Sequence, residues 1–275
     1  MKKSVLPNVS KRLAGLTTVL SFIFLFFACS ESDSVSEVSS SKSSYKCTTC
    51  KTSPEALPQN DNSNKGIYFG VLKEGVIFID VDNQNDGQVF ARLNNSTDSF
   101  LNLDNSSNTE DEYTAVFSGL INHVPATFVF KVSADGSNPS ISFLDSAGKT
   151  IDVDNFVYKE KSNAMVEVFK GTIRRRYIGL TGGEPTDKPD HELESTVNYE
   201  FMANVTYLFS RATNAWSVLK VKADNSIEAN RGTINGNKLI DEDNINAGIL
   251  VSDEVSQEIN LHENGRLITD AFRVW

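Results

Sequence analysis

Residues 227–240 read IEANRGTINGNKLI, in which two alternating runs flank the dipeptide Asn235-Gly236. An Asn-Gly pair in this setting is a strong sequence signal for a tight β-hairpin, because both residues tolerate positive φ angles. We predict strands at Ile227–Ile234 and Lys238–Ile240, joined by a type I′ turn. Asn264-Gly265 lies between two further short apolar runs and predicts a second hairpin of the same kind.

Similar short runs, rich in Val, Ile, Phe and Tyr, fill the chain from Gly66 onward, with turn residues between them. No long window has helical periodicity, so the predicted fold class is all-β and antiparallel: a meander, a barrel-like sheet or a sandwich. A repeated glycine-containing strand pattern places a boundary near residue 164. We therefore predict β-rich units at 66–163 and 164–275, with one closed sheet as the alternative. Residues 94–111 are polar and predict a loop.

The charge balance restricts the partners that this protein can bind. The chain has 26 basic and 36 acidic side chains, a net charge of −10. Residues 1–28 contain four basic and no acidic side chains, so the remaining chain is more acidic still. Such a surface excludes nucleic acid as a partner and disfavours docking on anionic headgroups, because both need clustered Lys and Arg. Cationic partners and divalent metal ions are compatible with it.

The amino-terminal segment has the organisation of a bacterial secretion signal. A basic start precedes the apolar stretch Leu13–Ala28, which ends at Cys29. About 16 apolar residues are short for a membrane-spanning helix, which needs roughly 20, but they fit the apolar region of a signal peptide. We predict that residues 1–28 are the signal peptide and that residues 29–65, rich in Ser and other polar residues, form a lipidated flexible tether.

Phe26-Phe27-Ala28-Cys29 resembles the lipobox of bacterial lipoproteins, with phenylalanines in place of the usual Leu and small residue. The acidic segment Ser30–Ser34 is similar to the surface-export signal of Bacteroidota lipoproteins, although it would also serve as a solvated tether. Together with the strand pattern, the chain resembles flavobacterial-type surface lipoproteins of unknown function with β-meander domains. The resemblance implies acylation of Cys29, with palmitate among the acyl chains, and a lipid-anchored, surface-exposed position on the outer membrane. It implies no known activity.

Cys47 and Cys50 are the only cysteines besides Cys29. A structural zinc site needs four ligands, and no second pair is present. A thioredoxin-type redox pair would follow a strand and precede a helix, whereas here a Ser-rich segment precedes and Pro54 follows. In an oxidising envelope the favoured interpretation is a small disulfide loop, with metal binding and redox activity as the alternatives.

The pattern Ile-Asp-x-Asp-Asn occurs three times, at residues 79–83, 151–155 and 240–244. Aspartates at i and i+2 of a strand share one face and could together ligate Ca²⁺, which prefers several oxygen ligands. The metal candidates are therefore Asp80, Asp82, Asp152, Asp154, Asp241 and Asp243. The alternative is three strand ends that run into Asx turns. No other cofactor is predicted.

The longest loop rich in Gly and Pro is Thr181–Leu193, and loops of this length often bind partners. Its candidate binding residues are Asp187, Asp190, His191 and Glu192. The segment lacks the second histidine of a zinc-binding His-Glu-x-x-His helix. A solvated acidic loop is the alternative.

The sequence favours a non-enzymatic binding or interaction module at the cell envelope, held to the membrane by lipid on Cys29, with an unknown protein or glycan as partner. One alternative is a structural accessory subunit of an outer-membrane assembly that docks through exposed strand edges. A carboxylate-dependent hydrolase is a further, less favoured alternative, because β-rich scaffolds can host pairs of catalytic carboxylates.

Overall fold

The computed structural model describes residues 45–94, 99–121, 124–144, 150–151, 156–180, 195–243, 245–261 and 265–275. Antiparallel β-strands dominate this part of the chain, whose only helical element is a 3-10 turn at Pro58–Asn60. The predicted all-β antiparallel fold class is therefore confirmed. Within the described ranges, no helix has the length and apolar character that crossing a membrane requires.

The first nine strands form one antiparallel sheet. They are β1 (Gly66–Leu72), β2 (Gly75–Val81), β3 (Val89–Asn94), β4 (Ser99–Asn108), β5 (Glu112–Ile121), β6 (Val124–Ser133), β7 (Ser140–Leu144), β8 (Thr150–Ile151) and β9 (Val157–Lys159). Their order in the sheet is β8-β7-β6-β5-β4-β3-β2-β1-β9. Neighbours in the sheet are thus neighbours in sequence, except that β9 returns to pair with β1.

The remaining eight strands close into a barrel. They are β10 (Val166–Leu180), β11 (Ser195–Ser210), β12 (Ala215–Lys222), β13 (Ile227–Asn235), β14 (Lys238–Asp241), β15 (Asn246–Val251), β16 (Glu254–Leu261) and β17 (Gly265–Arg273). Each strand pairs with the next one in sequence, and β17 pairs with β10 to complete the circle.

Strand β1 joins the sheet to the barrel, and all seven of its residues are buried. Alternate side chains of a strand point to opposite faces. Tyr68 and Leu72 enter the core enclosed by the first sheet, whereas Phe69 and Val71 pack in a second cluster with Val168 and other barrel residues. Both faces of β1 are therefore covered, and the described residues fall within a single compact unit.

The first sheet curls around an aromatic core. Phe117 and Phe128 stack with ring centroids 5.1 Å apart. The curvature brings β7 close to β1. A Cβ atom added at Gly70 of β1 would lie only 3.1 Å from Cδ1 of Ile141 in β7. The absence of a side chain at Gly70 therefore leaves room for tight packing of the neighbouring side chains in this core.

The barrel depends on another close backbone approach. A Cβ atom at Gly171 of β10 would lie 1.9 Å from the carbonyl oxygen of Asp270 in β17, so only glycine allows these two strands to pair at their observed separation. The interior behind them is filled by large rings, which include Phe169 and Phe209 with centroids 4.9 Å apart.

The flexible tether predicted upstream of the first strand is wrong for residues 45–65. The backbone N–H of Cys47 donates to Oδ2 of Asp253 at 2.9 Å, and that of Glu55 donates to Oε1 of Glu160 at 2.7 Å. These partners lie 206 and 105 residues away in the sequence. Polar composition predicts a mobile segment only when no distant partner satisfies its backbone groups.

The predicted loop at residues 94–111 is also wrong, because β4 occupies most of it. Among the described side chains of β4, only Leu101 is buried. The sequence of this strand therefore lacks the alternation of buried and exposed residues that predicts a strand. Its strand conformation comes from hydrogen bonding to β3 on one side and β5 on the other.

The central hairpin is present, but its turn differs from the predicted type I′. Asn235 pairs with Lys238, so the two loop residues are Gly236 and Asn237. Only Gly236 has a positive φ, +63°. Glycine at the first loop position with a positive φ there alone is the pattern of a type II′ turn.

Candidate functional site

A pocket of about 240 Å³ lies at one end of the barrel and continues its interior. Tyr207, Trp216 and Val218 line it from β11 and β12, and all three belong to the buried barrel core. We refer to this cavity as the barrel pocket and to these three residues as its floor. Because side chains alternate along a strand, Trp216 and Val218 enter the barrel together and Lys220 follows them two positions later.

Hydrogen bonds and packing fix the floor. Trp216 donates from Nε1 to the carbonyl oxygen of Ile240 at 3.1 Å, and its ring centroid lies 6.2 Å from that of Tyr207. Burial raises the pKa of the Tyr207 hydroxyl, so this phenol stays neutral at physiological pH. The floor is therefore uncharged and aromatic, and its two rings are almost completely buried, with Trp216 1% and Tyr207 3% exposed.

Polar side chains from several different strands surround the floor. They are Lys220, Asn230, Asp241, Asn246, Gln257 and Thr269. Lys220 forms an ion pair with Glu228, and Gln257 donates from Nε2 to the carbonyl oxygen of Asn246 at 3.4 Å. An apolar floor with a few converging amide, hydroxyl and charged groups is the usual composition of a small-molecule site.

The opposite end of the barrel carries an ionic cluster whose central members are largely buried. Nη1 of Arg273 lies 3.3 Å from Glu167 and 3.2 Å from Asp253, and Arg211 reaches Glu167 at 2.6 Å. Arg273 also donates from Nη2 to the carbonyl oxygen of Lys51 at 2.7 Å. This cluster therefore ties the amino-terminal segment at Lys51 to the barrel.

Strands β10 and β11 extend beyond their neighbours at the pocket end. Their pairing continues to Leu180 and Ser195, whereas the pairing of β11 with β12 stops at Ala203 and Lys222. The predicted binding loop connects these two long strands. Its candidates Asp187, Asp190, His191 and Glu192 lie outside the described residues.

The aspartates at the end of β2 organise a turn. Oδ1 of Asp80 accepts a hydrogen bond from the backbone N–H of Asn83 at 2.8 Å, and burial raises the pKa of Asp80. Asp82 forms an ion pair with Lys65 and accepts a hydrogen bond from the backbone N–H of Gly87 at 2.7 Å. The hydrogen bond from Lys65 is the main cause of the lowered pKa of Asp82. These bonds favour the Asx-turn alternative over calcium binding.

The second described pair behaves in the same way. Oδ1 of Asp241 accepts bonds from the backbone N–H groups of Asp243 and Ile245 at 3.0 and 2.7 Å. Asp152 and Asp154 lie outside the described residues. Among the residues that are described, no group of three or more His, Cys, Asp or Glu side chains converges as metal ligands do.

Cys47 and Cys50 form a disulfide, with their Cα atoms 5.5 Å apart. The loop that they close is the one whose backbone bonds to Asp253. The predicted signal peptide, Cys29 with its predicted lipid and the acidic segment after it lie outside the described residues.

Of the polar residues of the barrel pocket, the sequence singled out Asp241 alone, and as a metal candidate. Among the others, Lys220 carried the one available signal, since it continues the inward alternation of Trp216 and Val218. Asn230 and Gln257 had none, because they join the site only when the barrel closes.

Comparisons with known proteins do not assign this chain to a class. No protein-family model, curated protein or solved structure matches the chain. The structure defines an all-β protein in which a curled sheet packs on a closed eight-stranded barrel with a pocket at one end.

Proposed function

We propose that this protein is a binding module of the bacterial cell envelope and that it holds a small polar ligand in the barrel pocket. The observation that carries the proposal is an aromatic floor enclosed by a closed barrel and surrounded by polar side chains. Eight-stranded barrels have interiors just wide enough to be filled by side chains or to hold one small ligand. The barrel pocket is the part of the barrel interior that the core side chains leave unfilled.

The chemistry of the pocket favours a saccharide unit. Amide groups such as those of Asn230 and Gln257 both donate and accept hydrogen bonds, as sugar hydroxyls do. The volume, about 240 Å³, is below the range of roughly 300–1,000 Å³ for sites of drug-sized ligands. The ligand is therefore one small sugar or one unit of a longer glycan.

Binding is favoured over hydrolysis because Asp241 is the only carboxylate among the described pocket residues. Glycoside hydrolysis commonly requires two carboxylates on opposite sides of the scissile bond, and Oδ1 of Asp241 is already engaged by two backbone N–H groups. The structural-subunit alternative relies on open strand edges. The edge strands β8 and β9 of the first sheet have only two and three residues, which is a typical protection against edge pairing.

Tryptophan fluorescence tests the proposed pocket. The chain has two tryptophans, so Trp275→Phe leaves Trp216 of the floor as the single reporter. Titration of this variant with monosaccharides and short bacterial glycans should give a saturable fluorescence change. Gln257→Leu should weaken binding at least tenfold, because it removes the amide and keeps a similar size. The matched control Gln88→Leu, at an exposed position, should bind as the parent does; equal effects of the two changes would refute the proposed pocket.

The envelope address needs a separate test, because it depends on Cys29. Mass spectrometry of the protein purified from membranes should show an amino terminus at an acylated Cys29. Protease treatment of intact cells should then remove the protein, if the surface prediction is right. An unmodified Cys29, or residues 1–28 still attached, would contradict the anchor, and resistance to protease would indicate a periplasm-facing position.

A further inference from the structure

Arg92 of β3 lies at the junction between the sheet and the barrel without a hydrogen-bonding partner for its Nε. Its guanidinium carbon is 5.6 Å from the ring centroid of Phe78 and 5.4 Å from that of Trp275. The Nε atom is buried, and nothing in the described part of the chain accepts a hydrogen bond from it. Arg92 as a whole is half-buried, so its guanidinium can donate to an acceptor in the adjoining cleft through the terminal nitrogens and not through the buried Nε.

Arg92 borders a cleft of about 280 Å³, which we call the junction cleft. Lys170 of β10 supplies a second cation, and Asn94 supplies a neutral amide. The other lining residues are apolar or aromatic: Phe69, Val76, Phe78, Val168, Val274 and Trp275. No acidic side chain belongs to this described lining, although the chain as a whole has a net charge of −10. The junction cleft is therefore a basic and apolar site on an acidic protein.

We propose that the junction cleft binds a small amphipathic anion, namely a carboxylate on a compact apolar body. The carboxylate would accept charge-assisted hydrogen bonds from the guanidinium of Arg92, whose planar geometry matches it. The apolar body would lie against Phe69 and Val168. The cleft volume, about 280 Å³, is slightly below the range of roughly 300–1,000 Å³ for sites of drug-sized ligands, so a compact anion such as benzoate is a suitable probe.

The site is distinct from the barrel pocket, and separate tryptophans report on the two. Trp275 lines the junction cleft and Trp216 lines the barrel pocket. Trp216→Phe leaves Trp275 as the chain's single tryptophan. Titration of this variant with benzoate should give a saturable change in Trp275 fluorescence. Benzamide, the neutral analogue of the same shape, and inorganic sulfate, an anion without an apolar body, should each bind at least tenfold more weakly.

A matched pair of arginine variants tests the role of Arg92. Arg92→Gln should weaken benzoate binding at least tenfold. Arg231→Gln is the control, because Arg231 also lies over an aromatic ring, that of Phe156 at 5.8 Å, but is exposed and already paired with Glu242. This control should bind benzoate as the parent does.

Three results would overturn the proposal: benzamide binding as tightly as benzoate, sulfate binding as tightly as benzoate, or an unchanged affinity in Arg92→Gln. Calorimetric titration of the chain with both tryptophans intact provides the same comparison if Trp216→Phe does not fold. Failure of benzoate to bind would also overturn the cleft proposal, and it would leave the barrel-pocket proposal untouched because that proposal is measured through Trp216 with sugars.

Discussion

Replacing Arg273 by methionine removes the central cation of the ionic cluster while it keeps a side chain of similar length. The side chain of Arg273 is 11% exposed, and those of Glu167 and Asp253 are 9% and 13% exposed. All three charges are therefore largely withdrawn from water. Loss of the guanidinium leaves two buried carboxylates with fewer compensating groups.

The magnitude follows from what each carboxylate retains. Breaking a buried ion pair by removing one partner costs about 3–5 kcal/mol. Glu167 keeps its contact with Arg211 at 2.6 Å, whereas Asp253 keeps only the backbone N–H of Cys47 among its described partners. Because one of the two acids stays paired, we expect the lower end of the range, about 3 kcal/mol.

Urea denaturation followed by near-ultraviolet circular dichroism measures this loss as a change in the free energy of unfolding. Arg231→Met is the matched control, since Arg231 and Glu242 form an ion pair whose side chains are 60% and 63% exposed. Exposed pairs contribute only about 0–1 kcal/mol. Asp253→Asn in the Arg273→Met background should restore part of the stability, because it removes the unpaired charge.

The reasoning is refuted if Arg273→Met and Arg231→Met destabilise the protein by the same amount. It is also refuted if Asp253→Asn gives no recovery in the double variant. Either result would mean that the cluster contributes through packing and not through charge compensation.

Three further predictions concern other parts of the fold. Gly171→Ala should destabilise the protein by about 3 kcal/mol or more in thermal denaturation, because its Cβ would meet the backbone of Asp270; a nearly unchanged melting temperature would contradict this contact. Glu160→Ala removes the acceptor of three backbone N–H groups, including that of Glu55. Limited proteolysis near residue 55 should therefore become faster. An unchanged cleavage rate would argue that the Glu160 carboxylate does not hold this segment. Burial lowers the pKa of Lys159 to about 8 from its usual 10.5. Between these pH values the unfolded chain binds more protons than the folded one, so the free energy of unfolding should rise with pH by at most about 1.4 kcal/mol per unit. Lys159→Met should flatten this rise in denaturant titrations. An equal slope in both proteins would refute the role of Lys159.

The first strand and the fourth strand show how far sequence patterns predict this fold. The apolar run Gly66–Leu72 coincides with β1. A short continuous apolar run between turn residues is typical of a strand that is buried on both faces. Strand β4 was predicted as a loop, because its residues are mostly polar and only its neighbours in the sheet hold it extended. Local patterns thus predict strands that have a buried apolar run or a recognisable turn beside them, and they fail for a polar strand such as β4 that is held mainly by backbone pairing.

The candidate site was less accessible to prediction than the strands. Lys220 and Gln257 lie on strands far apart in the sequence, and each is an ordinary polar residue in its own segment. The aspartate pairs were more conspicuous in the sequence, yet the described ones serve turns. A repeated motif indicates a repeated local structure, whereas a pocket requires groups that only the closed barrel brings together.

By itself, the sequence determined the all-β class and the position of the hairpin around Asn235-Gly236, because side-chain alternation and turn chemistry act within a few residues. Only the tertiary structure decided that β10–β17 close into a barrel, that both faces of β1 are buried and that residues 45–65 pack against distant partners. Those outcomes depend on pairing and packing between residues distant in sequence, and strands with similar local patterns are compatible with either an open or a closed sheet.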